Sequence, residues 1–81
     1  MPVQGYSHIS SDPEICGGAP CISGSRIPVR TIGAYAQMGI TPTELAEEYY
    51  PWLSLAEIFG ALTYYYDHLP LVESDRVAIA A

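Results

Sequence analysis

The chain has 81 residues, which is enough for one domain and too few for two. Nine acidic residues stand against three arginines and no lysine, so the formal net charge is -6. Because nucleic-acid binding draws most of its affinity from Lys and Arg at phosphates, this balance disfavours autonomous DNA or RNA binding and suits a basic protein partner. Hydrophobic residues make up 49% of the chain. Such a surplus indicates apolar surface that a partner or a second copy covers, and we expect a homo-oligomer, most simply a dimer.

Residues 1–28 are punctuated by glycines and prolines, which interrupt regular structure. Short β-prone pieces lie around Tyr6–Ile9, Cys21–Ile22 and Arg26–Pro28, and the Ser-Gly-Ser step between the last two suits a hairpin connection. We predict a small, irregular β-arm here rather than a sheet.

Helical periodicity begins at Val29 and predicts a first helix over Val29–Met38, which Gly39 ends. The sequence Thr41-Pro42-Thr43-Glu44 is typical of a capping box with proline at the first helical position, and it predicts the start of a second helix. Pro51 ends that helix, because the residue before a proline disfavours α geometry.

A second capping box, Ser54-Leu55-Ala56-Glu57, predicts a third helix that Pro70 ends. Apolar side chains recur at helical spacing along it: Leu55, Ile58, Phe59, Leu62, Tyr65, Tyr66 and Leu69. From this stripe we expect four residues to be largely buried: Ile58, Phe59, Leu62 and Tyr66. We expect Glu57 and Asp67 to be exposed, and Trp52 and Leu53 to fill the corner before the helix.

Two capped helices joined by a short turn, after one further packed helix, are the layout of a helix-turn-helix core. We therefore predict a mainly α fold, with a three-helix helix-turn-helix-like core and a short N-terminal β-arm. The single domain spans residues 1–81, with the arm at 1–28, the helical core at 29–69 and a tail at 70–81. The tail is either a short fourth helix or a segment that orders only against a partner. Its apolar residues are the predicted partner contacts: Leu71, Val72, Val77 and Ile79.

Two separated blocks of the sequence resemble the "domain of unknown function 433" family. The first runs from Asp12 to Val29 and contains Cys-Gly-Gly, a small residue with Pro, and Gly-Ser-Arg-Ile-Pro-Val, with Ser25 where the family usually has Thr. The second comprises residues 38–45 and 50–54, and the resemblance covers roughly residues 7–69. It implies a homeodomain-like helix-turn-helix fold, antitoxin activity, and pairing with a PIN-like ribonuclease toxin.

A helix-turn-helix fold raises the question of DNA contacts. The candidates are Arg26 and Arg30 as phosphate contacts, and Thr63 and Tyr64 on the third helix. However, the outward positions of that helix lack the Arg, Lys, Asn and Gln that read bases. For Arg26 we favour the structural role, in which it holds down the glycine-rich arm, and for Arg30 both roles stay open.

Neither catalysis nor a cofactor is indicated. Cys16-Gly17-Gly18 resembles a nucleophile or phosphate loop, but no nearby base, lysine or following helix completes such a site. Cys16 and Cys21 alone make a poor zinc site, and we interpret them as structural or incidental. We expect a cytoplasmic protein, since neither a signal peptide nor a membrane span is recognisable.

Three functions remain open from the sequence. The leading hypothesis is an antitoxin-like protein that binds and restrains a PIN-like nuclease toxin, and joins it in DNA-binding autoregulation. The alternatives are a stand-alone dimeric helix-turn-helix transcriptional regulator and a structural or assembly module.

Overall fold

A computed structural model describes residues 1–69, and the predicted tail with its partner residues lies outside this range. The N-terminal part forms a three-stranded antiparallel sheet in the order β1-β2-β3. The strands are β1 (Pro2–Val3), β2 (Tyr6–Ser10) and β3 (Cys21–Ile22). Ile9 pairs with Ile22 and Ser10 pairs with Cys21, which places two fully buried isoleucines side by side.

The predicted mainly α fold is therefore wrong, and so is the expected arm without a sheet. The fold of residues 1–69 is mixed, with 49% of these residues helical and 14% extended. The β2–β3 pairing joins segments that are separated by a turn at Cys16–Gly18. Because such a pairing is non-local, its hydrogen bonds leave no periodicity in either short strand for sequence analysis to detect.

Helix α1 comprises Val29–Gln37 and helix α3 comprises Leu55–Asp67. The second predicted helix is a short α2 (Pro42–Glu44) that continues as a π-helical segment over Leu45–Tyr49. The Tyr50 amide donates to the Leu45 carbonyl over 2.7 Å, which closes the wide π turn immediately before Pro51. Helical structure thus ends where the sequence predicts, but with a wider last turn.

Both predicted capping boxes are confirmed. The Glu44 amide donates to the Thr41 hydroxyl over 3.1 Å, and the Thr41 amide donates back to the Glu44 carboxylate over 3.2 Å. At α3 the corresponding distances between Ser54 and Glu57 are 3.1 Å and 2.9 Å. These local hydrogen bonds satisfy amides that each helix start would otherwise leave unpaired.

The core lies between the sheet and the helices, where α3 packs against both α1 and β2. Its largest fully buried side chains come from every layer: Tyr65, Ile9, Ile22, Ile32, Leu45, Ile58 and Val29. Within residues 1–69 no helix is long and apolar enough to cross a membrane.

Candidate interaction surface

The outward side of α3 carries large apolar side chains that the domain leaves uncovered. Leu55 is 44% exposed, Phe59 is 53% exposed and Tyr66 is 57% exposed. At 3.6 residues per turn, these three positions fall within an arc of about 40° on the helix. Ala56 and Thr63 widen this surface on one side, and both are exposed. We call these five residues the α3 face.

The sequence expectation for this helix is half right. Ile58 and Leu62 are buried as predicted, at 0% and 9% exposure, but the predicted burial of Phe59 and Tyr66 is wrong. The core takes Ile58, Ala61, Leu62 and Tyr65, which occupy a neighbouring arc of the helix. Because the apolar stripe is wider than one buried helix face, its second edge remains in solvent.

The flanking acidic positions also differ in their environment. Asp67 is exposed as expected, but Glu57 is half-buried. At the corner before α3, Leu53 is buried at 7% exposure, as predicted. Trp52 is 68% exposed, so its expected place in the corner is wrong. Its ring meets Tyr50 edge-on at a centroid distance of 5.7 Å instead.

The α3 face carries no formal charge. The Thr63 hydroxyl donates to the Phe59 carbonyl over 2.9 Å, so its polar group is engaged by the helix backbone. Glu57 serves in the capping box, and Asp67 accepts a 2.7 Å hydrogen bond from the Tyr6 hydroxyl. That hydrogen bond raises the pKa of Tyr6, since the phenol donates to a carboxylate. Both acidic groups on α3 are therefore used by the domain itself.

One residue of the α3 face, Tyr66, packs against an aromatic ring of the core. The ring of Tyr66 meets that of the fully buried Tyr65 edge-on, at a centroid distance of 5.2 Å. An exposed aromatic side chain that packs against a core ring has less conformational freedom in the unbound protein, so it loses less on binding a partner. Such a residue is suited to anchoring an interface.

The candidate DNA residues do not come together on one surface. Arg26 is exposed and lines an open groove of about 750 Å³ beside Trp52 and Asp12. Arg30 is half-buried and lines a separate depression with Tyr35 and Met38.

The two candidates on α3 are engaged within the domain. Thr63 belongs to the α3 face, whereas Tyr64 is about 100° further round the helix, next to the sheet. Tyr64 stacks on His68 at 4.2 Å and meets Tyr6 edge-on at 4.9 Å.

Acidic side chains lie on the helices before α3. Glu47 and Glu48 are exposed on the π-helical segment, and Glu44 belongs to the first capping box. No group of three or more His, Cys, Asp or Glu side chains within residues 1–69 is arranged to hold a metal ion.

The sequence profile of a family described as a protein of unknown function, DUF433, matches residues 9–65. The chain belongs to the DUF433 family. A DUF433 member protein from Anabaena variabilis, known from a crystal structure, shares 34% sequence identity with this chain at a TM-score of 0.75. The similarity covers 84% of this chain and 66% of the Anabaena protein, so the chain spans just under two thirds of that protein's length. Among curated proteins, none matches significantly.

In this DUF433 protein, part of the first block that resembles the family, residues 12–29, builds the turn after β3. Gly24 has a φ of 80°, in the left-handed region that glycine adopts at low cost. The Ser25 hydroxyl donates to the Ile22 carbonyl over 2.7 Å and accepts from the Ile27 amide over 3.1 Å. A threonine at position 25 has the same hydroxyl, so the serine preserves this bridge.

Proposed function

We propose that this protein is a non-enzymatic, antitoxin-like binding module that restrains a PIN-like ribonuclease through the α3 face. The observation that carries the proposal is the uncharged, largely apolar surface on α3, in a chain whose formal net charge is -6. The largest exposed apolar patch on a small domain is often its interaction site.

The size of the α3 face supports a protein partner. About half of each aromatic side chain is exposed, and with Leu55 the accessible apolar area is on the order of 300 Å². This area suits the centre of an interface rather than a whole one, since a standard interface buries about 800 Å² on each partner. Tyrosine is frequent among the residues that dominate binding energy, and Tyr66 is partly immobilised by Tyr65.

The charge of the chain supports a basic partner. A PIN-like nuclease binds RNA and a divalent metal, so we expect basic residues around its active-site cleft. Glu47 and Glu48 are exposed on the segment that precedes α3, and the whole chain carries a net charge of -6. Complementary charge accelerates encounter, while the apolar centre supplies the lasting affinity. Masking of the cleft by a protein is the mechanism that this combination favours.

Stand-alone DNA reading has less support. Arg26 and Arg30 line different surfaces, and the α3 face presents no side chain suited to a base edge. DNA contact within a toxin complex, where the partner supplies basic residues, is compatible with this arrangement.

The test is co-expression with a PIN-like nuclease encoded next to this chain. Phe59→Asp and Tyr66→Asp place a charge at the centre of the α3 face without removing a core side chain. Met38→Asp is the matched control, because Met38 is 72% exposed and lies outside the α3 face. We expect the α3 variants to lose co-purification with the nuclease and protection of growth, while the control keeps both.

Other outcomes would contradict parts of the proposal. If all three variants neutralise the nuclease equally, the α3 face is not its binding surface. If the α3 variants change only the oligomeric mass measured by light scattering, a second copy occupies the face. Truncation after Pro70 tests the predicted tail contacts, and we expect it to weaken nuclease capture.

A further inference from the structure

Cys16 and Cys21 are brought together by an unusual turn. Cys16 has a φ of 53°, and Gly17 and Gly18 follow at 64° and 90°. Positive φ is uncommon for a residue with a side chain and marks a position that the surrounding structure constrains. The turn closes with the Ala19 amide donating to the Cys16 carbonyl over 3.2 Å, and the chain then enters β3 at Cys21.

The two thiols occupy one small site. The Cys21 thiol contacts the Ala19 carbonyl at 3.4 Å, and the Cys16 thiol contacts the Arg26 carbonyl at 3.8 Å. Residues 26–28 lie beside Cys21, because the backbones of Cys21 and Pro28 form an isolated antiparallel β-bridge. The Cys16 and Cys21 thiols therefore converge from the turn and from β3, close enough for the Cys16 thiol to influence the pKa of Cys21.

The environments of the two thiols differ in a way that assigns roles. Cys16 is exposed, whereas Cys21 is only 3% exposed. Arg30 of α1 is close enough for its positive charge to act on Cys21. Its Nη1 atom is buried, and no acceptor among the described residues hydrogen-bonds to it. A buried cationic donor without a partner stabilises an anion that forms beside it.

We propose that Cys16 and Cys21 form a reactive dithiol site that takes low-molecular-weight disulfides as its co-reactant and closes to an intramolecular disulfide. This site is independent of the proposed nuclease binding, because it involves the turn, β3 and α1 rather than the α3 face. Each step is an ordinary thiol–disulfide exchange.

In the first step the exposed Cys16 thiol releases its proton to solvent, and its thiolate attacks one sulfur of the small disulfide. A mixed disulfide forms on Cys16 as the S–S bond of the reagent breaks and one small thiolate leaves. In the second step Cys21 loses its proton and attacks Sγ of Cys16, which releases the second small thiolate. The dithiol is oxidised by two electrons, and one small disulfide is reduced to two thiols. Arg30 stabilises the Cys21 thiolate during this second step.

The experiment uses the full chain, reduced and then exposed to glutathione disulfide, with intact-mass measurement after acid quenching. We expect the wild type to lose two hydrogens and to retain no glutathione. Cys21→Ser and Cys21→Ala should stop at one glutathione on Cys16. Cys16→Ser should remain unmodified over the same period, because Cys21 is buried. Arg30→Met, which keeps the length of the stem, should slow ring closure several-fold without changing the final mass.

Three results would overturn the proposal: a wild type that retains glutathione, disulfide-linked dimers through Cys16, or reaction no faster than that of Cys16→Ser. Circular dichroism of each variant verifies its fold. The intact mass of the wild type after treatment with glutathione disulfide tests the proposal even if a Cys21 variant does not fold.

Discussion

Gly33 on α1 lies directly against the ring of Tyr65 on α3. A Cβ atom at position 33 would lie 2.6 Å from Tyr65 Cζ and closer still to Cδ1 and Cε1 of the ring. Tyr65 is fully buried, and Gln37 donates to its hydroxyl over 3.4 Å. The glycine lowers the intrinsic stability of α1, since glycine inside a helix costs roughly 0.5–1 kcal/mol relative to alanine. In exchange, the largest buried side chain reaches the helix backbone.

Gly33→Ala should therefore destabilise the domain by roughly 1–3 kcal/mol despite the better helix propensity of alanine, because the new methyl overpacks the core. Urea unfolding followed by circular dichroism measures the change. The control is Tyr65→Leu, which removes the ring. In that background Gly33→Ala should lower the free energy of unfolding by less, as a double-mutant cycle reports. Equal costs in both backgrounds would show that the contact with Tyr65 is not the cause.

Neighbouring residues on α3 should differ sharply in their contribution to stability. Ile58→Ala should cost about 2–5 kcal/mol because Ile58 is fully buried. Phe59→Ala should cost only about 1–2 kcal/mol, since roughly half of that side chain is already in water. Chemical denaturation of both variants measures the difference. A larger cost for Phe59→Ala would place its ring in the core and remove it from the α3 face.

The isolated protein should bind duplex DNA no more tightly than micromolar at about 0.15 M salt. With Arg26 and Arg30 as its candidate phosphate contacts, the plot of log affinity against log salt should have a slope of about -2 or shallower. Fluorescence anisotropy across a salt series measures both quantities. A tight complex with a steep slope would support the stand-alone regulator instead.

Closure of the Cys16–Cys21 disulfide should accelerate with pH. The pKa of Cys21 is raised to about 11, mainly by burial and also by the neighbouring Cys16 thiol, while Arg30 opposes the shift. Cys21 is therefore mostly protonated near neutrality, and its thiolate fraction rises about tenfold per pH unit below that pKa. A mixed disulfide prepared on Cys16 at low pH and shifted to pH values from about 7 to 9 should close about tenfold faster per unit. A pH-independent rate would mean that deprotonation of Cys21 does not limit closure.

The helix starts could be predicted because their causes are local. Thr41 with Glu44, and Ser54 with Glu57, exchange hydrogen bonds across three residues, so the sequence contains both partners of each box. Pro51 marks a helix end for an equally local reason, since it restricts Tyr50, which has non-helical dihedral angles. The membership in the DUF433 family was also recognisable from the residues, and the matched region confirms it.

Choosing which edge of the α3 stripe is buried needed the tertiary structure. Ile58 and Phe59 are adjacent in sequence and both are strongly apolar, yet one is fully buried and the other is half exposed. Periodicity defines the direction of an apolar stripe but not where a neighbouring layer ends. The contact of Gly33 with Tyr65 sets how α1 and α3 meet, and glycine in a helix gives no sequence signal of such a contact.

The sheet and the thiol site depend on the same kind of long-range placement. The sequence by itself determined short β-prone pieces and two cysteines, but not that β3 returns to pair with β2. Only the tertiary structure decided that Cys16, Cys21 and Arg30 meet, through a turn of three residues with positive φ. The physical reason is that backbone pairing and side-chain proximity across a turn are satisfied between distant residues. Local propensity therefore describes each piece without describing its partner.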